Sequence, residues 1–128
     1  MAHARATIGT TNYAVAITAG HHQLNADEDP ALGGKDSGPG PFDILCSALG
    51  ACTAITLRMY AERKAWPLRG VQVDVRFSGT GKDGAIARVL SFDGELSQEQ
   101  RARLADIAER TPVTLTLKNG VPITTTVA

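Results

Sequence analysis

Two cysteines, Cys46 and Cys52, are the side chains of this chain best suited to covalent chemistry. A cysteine reacts as the thiolate, which forms readily only beside a cation or a hydrogen-bond donor. A free thiol in an apolar helix is also an ordinary packing group, because it behaves as a small apolar side chain. Helical spacing alone favours packing for Cys52, so a nucleophilic role needs support from elsewhere in the sequence.

The separation of the two cysteines argues against a bond between them. They lie six residues apart in a segment with helical periodicity. On an ideal helix this spacing is about 9 Å along the axis and about 120° around it. A disulfide needs Cα atoms within roughly 7 Å, so we expect no intrachain bridge and interpret Cys46 as a packing residue.

Histidines and carboxylates give weaker candidates for a metal site. Adjacent His21 and His22 would point to opposite faces of a strand, so we expect surface or turn positions for them. The acidic run Asp27–Asp29 could bind a cation, but a solvated loop is the favoured interpretation. The chain has no CxxC or HxxxH spacing, nucleophile elbow, P-loop or dinucleotide fingerprint. The sequence therefore predicts neither a metal nor a cofactor.

The elements that would position Cys52 are a loop and a long helix. Residues 27–40 hold two prolines and four glycines, and a loop this long in a compact domain is often functional. Pro41 suits a first helical position, and Pro67 ends the helix. Apolar side chains recur at helical spacing at Leu45, Ala48, Leu49, Cys52, Ile55, Thr56 and Met59. The middle of the helix is apolar nearly all round, so other structure should cover it.

The remaining sequence alternates between strands and one further helical region. Period-two alternation predicts strands near residues 13–17, 22–26, 71–77, 86–92 and 121–127. Ser97 with Gln100 predicts a capping box, and Pro112 breaks or restarts the helix that follows. The order predicts an α+β fold, with helices on a mainly antiparallel sheet, in a single domain over residues 1–128.

Charge and hydropathy narrow the classes of partner. Thirteen basic and thirteen acidic residues give a formal net charge of zero, unlike the basic excess of nucleic-acid-binding proteins. The longest charge-free apolar stretch, Ile44–Leu57, is shorter than the roughly 20 residues of a membrane span. Residues 1–10 contain no apolar run of signal-peptide length. We therefore expect a cytoplasmic protein with no nucleic-acid or membrane partner.

Several stretches resemble the OsmC/Ohr family of osmotically induced and organic-hydroperoxide-resistance proteins. The resemblance is carried by residues 22–28, 38–45, 48–53 and 58–64, and by the segment Thr111-Pro112-Val113. It implies an OsmC-like fold with a long central helix, in an intertwined homodimer with active sites at the interface. It also implies reduction of hydroperoxides by a cysteine pair, whose first member matches Cys52. That thiol would become a sulfenic acid, beside an apolar pocket completed by the partner.

Three positions depart from the family pattern. The second, resolving cysteine would fall at Thr111, which cannot form a disulfide. The hydroperoxide-resistance branch has a glutamate directly after the helix-start proline, where this chain has Phe42 followed by Asp43. That branch also has an activating arginine before the helix, where this chain offers only Arg5.

These departures leave two principal hypotheses. In the first, the protein is a thiol-dependent peroxidase that uses Cys52 and an external thiol reductant, or Cys46 after rearrangement. Asp43 lies about 13 Å from Cys52 along the helix, so it could support the thiol only across a dimer. In the second, a non-catalytic protein of the same fold binds a small apolar ligand or senses oxidants. A plain interaction module, the third possibility, would have neither a reactive thiol nor a pocket.

Overall fold

Three short strands open the chain and form an antiparallel sheet. They are β1 (Ala4–Ile8), β2 (Val15–Ala19) and β3 (His22–Ala26), in the order β1-β2-β3. The computed structural model describes every residue, Met1–Ala128, and the chain divides into two compact units, residues 1–45 and 46–128. The strands predicted near residues 13–17 and 22–26 are confirmed, although the first begins at Val15.

The long helix α1 (Pro41–Arg63) begins at the predicted proline. Its buried residues recur at every fourth position, at Leu49, Thr53, Leu57 and Ala61. Of the apolar series read from the sequence, Leu49 lies on this buried face, whereas Ile55 and Met59 remain about half exposed. Since α1 is apolar nearly all round, periodicity could not choose which face the chain itself covers.

A long hairpin and two helices complete the second unit. Strands β4 (Leu68–Ser78) and β5 (Ala85–Gly94) pair antiparallel across the turn of residues 79–84, as expected of the strands predicted near 71–77 and 86–92. Helix α2 (Gln98–Ala108) begins with the predicted Ser97–Gln100 capping box, and α3 (Pro112–Asn119) restarts at the proline. The core of this unit is made by Leu57, Ala61, Leu68, Leu104 and Ala108, with partly buried aromatic and aliphatic side chains around them.

The strand predicted at residues 121–127 is wrong for the isolated chain. The residues after α3 have no regular structure, and Ile123 is 88% exposed. A strand is stabilised by hydrogen bonds to a neighbouring strand, and no strand of this chain pairs with the segment. The α+β class is confirmed, with two antiparallel sheets of three and two strands instead of one.

By length and composition alone, α1 could also cross a membrane. The core helix of a soluble protein meets the same criterion, so the feature is weak evidence for a membrane. One face of α1 packs into the core described above, through Leu57 and Ala61. The expectation that no segment is long enough to span a bilayer was based on the charge-free stretch, whereas the helix itself extends over 23 residues.

Candidate active site

Cys52 lies on the flank of α1, between its buried and exposed faces. The thiol is free and half-buried. The next residue, Thr53, is on the buried face, and successive residues of a helix are about 100° apart. Ile55 and Met59 follow Cys52 by about one and two turns on the same side and are 54% and 53% exposed. The thiol therefore stands beside an apolar strip that the chain leaves open.

Cys46 is the other free thiol, also half-buried on α1. The helix is continuous through both cysteines, so the six-residue separation keeps them apart as expected. The structure has no disulfide. Cys46 can therefore meet Cys52 within one chain only if α1 unwinds.

Arg88 of β5 forms a buried polar cluster directly behind the turn of α1 that carries Cys52. Its side chain is 11% exposed. One guanidinium nitrogen, Nη1, donates to Thr53 Oγ1 and to Thr114 Oγ1, both at 2.9 Å. The other, Nη2, donates to the Ala108 carbonyl at 2.9 Å and to Glu109 Oε2 at 3.2 Å. The guanidinium thus joins α1 to the region where α2 ends and α3 begins.

Glu109 is the one carboxylate that pairs with Arg88, and it also pairs with Lys118. Its other oxygen accepts a hydrogen bond from Lys118 Nζ at 2.9 Å. The hydrogen bond and the charge of Lys118, followed by the hydrogen bond from Arg88, hold the pKa of Glu109 below its usual range. Because the Glu109 side chain is 59% exposed, solvent screens the Arg88–Glu109 ion pair. Most hydrogen bonds of the guanidinium therefore go to neutral acceptors, the two threonine hydroxyls and the Ala108 carbonyl.

Thr111 belongs to the same cluster and is fully buried. Its Oγ1 lies 2.6 Å from Thr114 Oγ1. Thr114 accepts from Arg88 and lies 3.3 Å from the Ala108 carbonyl, and either threonine hydroxyl can donate to the other. The structure therefore brings Thr111 near the Cys52 turn of α1, linked through Thr114 and Arg88.

The sequence analysis missed Arg88, although a signal was present. Along β5, burial alternates, and Ile86, Leu90 and Phe92 share the inward phase with Arg88. Val89 occupies the outward phase and is exposed. An arginine at an inward position of an alternating strand, next to an outward valine, indicates a buried charge with dedicated partners.

Asp27 corrects the expectation of a solvated acidic loop. It is 2% exposed. Its carboxylate accepts from the backbone N–H groups of Tyr13, Glu28, Lys35 and Ser37 and, at 2.6 Å, from the Ser37 hydroxyl. The Ser37 hydroxyl and the Glu28 N–H are the main causes that hold the pKa of the Asp27 carboxyl well below its usual range. A carboxylate with this many donors needs no cation to be satisfied.

The loop that follows Asp27 leads directly into the start of α1. The Asp27 N–H donates to the Pro39 carbonyl at 3.1 Å, which closes the loop on itself. Gly34 passes so close to Glu28 that a Cβ would collide with the Glu28 carbonyl oxygen, so only glycine fits there. Asp43 Oδ2 accepts from the Gly40 N–H at 3.0 Å, which is half of a capping box.

Asp43 is therefore placed at the helix start and not at the thiol. It precedes Cys52 by nine residues of a continuous helix, about 13 Å of rise. Phe42 is 55% exposed at the same end, and Arg5 lies on the exposed strand β1. Neither Phe42 nor Asp43 is brought beside Cys52 by α1, and the cation that hydrogen-bonds to the next residue, Thr53, is Arg88.

The two histidines lie at the turn between β2 and β3. His21 is in the turn and His22 begins β3, with ring centroids 4.1 Å apart. The expectation that they point to opposite faces is wrong, because the turn lets the rings approach each other. The expected surface position is confirmed, since both are exposed. No group of three or more histidine, cysteine or carboxylate side chains is arranged to hold a metal ion.

A groove of about 440 Å³ lies against the exposed side of α1 in the second unit. It is lined by Ala54, Ile55, Arg58, Met59, Glu62 and Val71. Arg58 is anchored at its edge, because Nη1 donates to the Leu68 carbonyl at 2.6 Å. The floor is apolar and begins about one helical turn beyond Cys52.

Comparison with known proteins assigns this arrangement to a family. A family model described as "OsmC-like protein" matches residues 34–126. The chain belongs to the OsmC-like family. No curated protein matches it significantly in sequence. The family assignment confirms the resemblance read from the sequence, and the match includes both Cys52 and Thr111.

Solved structures share the OsmC-like fold at low sequence identity. An OsmC-like protein from Mycoplasma pneumoniae superposes with a TM-score of 0.78 at 21% identity, over 94% of this chain and 89% of the other. An organic hydroperoxide resistance protein from Legionella pneumophila superposes with a TM-score of 0.70 at 20% identity, over 92% of this chain and 89% of the other. An organic hydroperoxide resistance protein from Elizabethkingia anophelis, with thiocyanate bound, superposes with a TM-score of 0.69 at 16% identity, over 94% of this chain and 89% of the other. The predicted fold is thus confirmed.

Proposed function

We propose that this OsmC-like protein is a thiol-dependent peroxidase that reduces organic hydroperoxides through Cys52. The observation that carries the proposal is the position of Cys52, a free, half-buried thiol beside the open apolar strip of Ile55 and Met59. An apolar strip next to a nucleophile favours peroxides with an organic group over hydrogen peroxide, because the organic group gains by leaving water. The names of the hydroperoxide resistance proteins that share the fold support the same reaction class.

The proposed oxidation uses one cysteine. The Cys52 thiolate attacks the terminal oxygen of the hydroperoxide, and the oxygen–oxygen bond breaks. Sulfur is oxidised to the sulfenic acid, while the departing alkoxide takes up a proton and leaves as an alcohol. An external thiol then condenses with the sulfenic acid, which releases water and forms a mixed disulfide. A second external thiol restores Cys52 and carries away the disulfide.

Thr111 supports the need for an external reductant. Its hydroxyl cannot form a disulfide and is committed to a hydrogen bond with Thr114. Cys46 lies on the same continuous helix and would need α1 to rearrange before it could reach Cys52. The protein therefore depends on a soluble thiol for turnover.

We expect the working form to be a homodimer. Ile55 and Met59 on α1, and Val121, Ile123 and Val127 after α3, are exposed apolar side chains in the single chain. Exposed apolar patches of this kind are typical of association surfaces. The segment 121–128 alternates like a strand but has no strand partner in its own chain. Light scattering on the purified protein would test this, with a monomer at micromolar concentration as the contradicting result. We further expect a cytoplasmic location.

Peroxide consumption tests the catalytic proposal directly. Wild-type protein with dithiothreitol should consume cumene hydroperoxide, and Cys52→Ser should abolish this activity. The matched control is Cys46→Ser, which removes the other thiol of the same helix and should retain most of the activity. Equal activity in the wild type and in Cys52→Ser would refute the proposal.

The groove of about 440 Å³ favours a second candidate, a protein that binds a small apolar ligand or senses oxidants without turnover. The pH dependence of Cys52 alkylation separates the two functions. A half-maximal rate well below pH ~8.5, the value for a free cysteine, favours catalysis. A half-maximal rate at or above that pH, with retention of an apolar fluorescent probe, favours binding.

A further inference from the structure

Arg88 is an unusual residue to find behind a reactive-cysteine turn. Its side chain is 11% exposed, and the one carboxylate that pairs with it is 59% exposed and shared with Lys118. Burial of a guanidinium without a full counter-charge is costly. The mechanism proposed above does not use Arg88, so this cost needs another explanation.

The guanidinium joins two parts of the second unit that are distant in sequence. Thr53 belongs to α1, whereas Ala108 and Thr114 lie in the α2–α3 region. A guanidinium is planar and presents its donors in a rigid fork, so it fixes the directions of its acceptors as well as their distances. The hydrogen bond to Thr53 Oγ1 therefore limits rotation of α1 about its own axis at that turn.

Rotation of α1 at Thr53 matters because Cys52 is the preceding residue. A rotation of the helix moves the thiol toward the packed side or toward the open apolar strip. Thr53 Oγ1 also donates to the Leu49 carbonyl at 2.7 Å, so its single proton is used within the helix and its lone pair faces Arg88. The geometry thus gives Thr53 a fixed hydrogen-bonding direction.

We propose that Arg88 is a positioning residue for Cys52, which acts through Thr53 to orient the thiol. The inference deepens the proposed function, because it depends on Cys52 being the reactive residue. Arg88 does not touch the peroxide. Its effect is transmitted through one hydrogen bond, so substitution of Thr53 must reproduce part of the effect of removing Arg88.

The test measures alkylation of Cys52 by iodoacetamide as a function of pH, in a Cys46→Ser background so that only one thiol reacts. Arg88→Met removes the fork. Thr53→Val keeps nearly the same shape but removes the hydroxyl, which accepts from Arg88 and donates to the Leu49 carbonyl, and Thr53→Ser retains that hydroxyl. Arg69→Met is the matched control, since Arg69 is an exposed arginine of the same hairpin that pairs with Asp93.

We expect Arg88→Met and Thr53→Val each to lower the alkylation rate at pH 7 by about threefold or more, the order of effect of one lost hydrogen bond. Thr53→Ser and Arg69→Met should keep the profile of the background protein. An unchanged profile in folded Thr53→Val overturns the proposal, even if Arg88→Met fails to fold. Alkylation consumes no peroxide, so absent peroxidase activity would refute the proposed function and leave this measurement intact.

Discussion

Asp27 and Arg88 are the two best-buried charged centres described above, and the protein satisfies them in opposite ways. The Asp27 carboxylate accepts mainly from backbone N–H groups within 14 residues along the chain. The Arg88 guanidinium donates to two threonine hydroxyls, a carbonyl and a carboxylate, each 20 to 35 residues away. One centre organises a local loop, whereas the other connects distant elements.

The difference determines which side chains each region depends on. Backbone donors are present whatever the side chains are, so the loop of residues 28–40 depends mostly on Asp27 itself. The Arg88 cluster depends on several side chains at once, and each contributes part of the stability of the cluster. A single substitution at Asp27 should therefore be more damaging than any single substitution around Arg88.

Replacement of Asp27 should give the largest effect. In Asp27→Asn, one carboxylate oxygen becomes an amide that donates, so several N–H groups lose their acceptor. We expect the melting temperature to fall by on the order of 10 °C. Asp36→Asn is the matched control, because Asp36 is an exposed residue of the same loop and should change melting by less than about 2 °C. Equal effects of the two substitutions would show that the loop does not depend on Asp27.

The contribution of Asp27 should also depend on pH. Because hydrogen bonds hold the pKa of its carboxyl well below its usual range, the folded state keeps the charge at a pH where the unfolded state takes up a proton. The stability difference between wild type and Asp27→Asn should thus be constant from pH 7 to about 5. It should shrink as the pH falls below about 4. Urea unfolding at several pH values would measure it, and a constant difference down to pH 2 would contradict the assignment.

Arg88→Met should have the second-largest effect on stability. It leaves the Ala108 carbonyl and two threonine hydroxyls short of a donor, but a methionine can refill the apolar part of the site. We expect the melting temperature to fall by roughly 7 °C. The exposed Arg69→Met control should change it by less than about 2 °C, since surface ion pairs contribute little. If Arg88→Met lowered the melting temperature more than Asp27→Asn does, the Arg88 cluster would depend on a single side chain more strongly than the Asp27 loop does.

The same contrast explains which elements could be predicted from the sequence. The start of α1 at Pro41, the Ser97 capping box and the restart at Pro112 depend on neighbouring residues, and all three are confirmed. The strand at residues 121–127 was wrong because a strand needs a partner that local pattern does not supply. The buried face of α1 was only partly predicted, through Leu49, because a helix apolar on all sides carries no directional signal.

Candidate-site residues follow the same division. Cys52 was identified through a local motif, and its family is confirmed, while its reactivity stays a prediction. Arg88 was missed because its partners belong to three elements that only the folded chain assembles. Asp27 was taken as solvated because an acidic run looks like a surface loop, and its donors are backbone groups that leave no mark in the sequence.

Thr111→Val should give the smallest effect, and it tests whether the Arg88 cluster is truly shared. The substitution removes one hydroxyl that hydrogen-bonds to Thr114, while Thr114 still accepts from Arg88 and can donate to the Ala108 carbonyl. We expect the melting temperature to fall by about 4 °C, near the value for the loss of one hydrogen bond. Thr125→Val, in the exposed segment after α3, should change it by less than about 2 °C.

A Thr111→Val loss as large as that of Arg88→Met would mean that the cluster has a single essential hydroxyl, as the loop has a single essential carboxylate. The two regions would then be built alike despite their different partners. A loss near the expected value would instead mean that position 111 contributes one hydrogen bond among several. In that case position 111 could exchange its side chain at modest cost in stability, so a threonine there is compatible with the fold without a resolving cysteine.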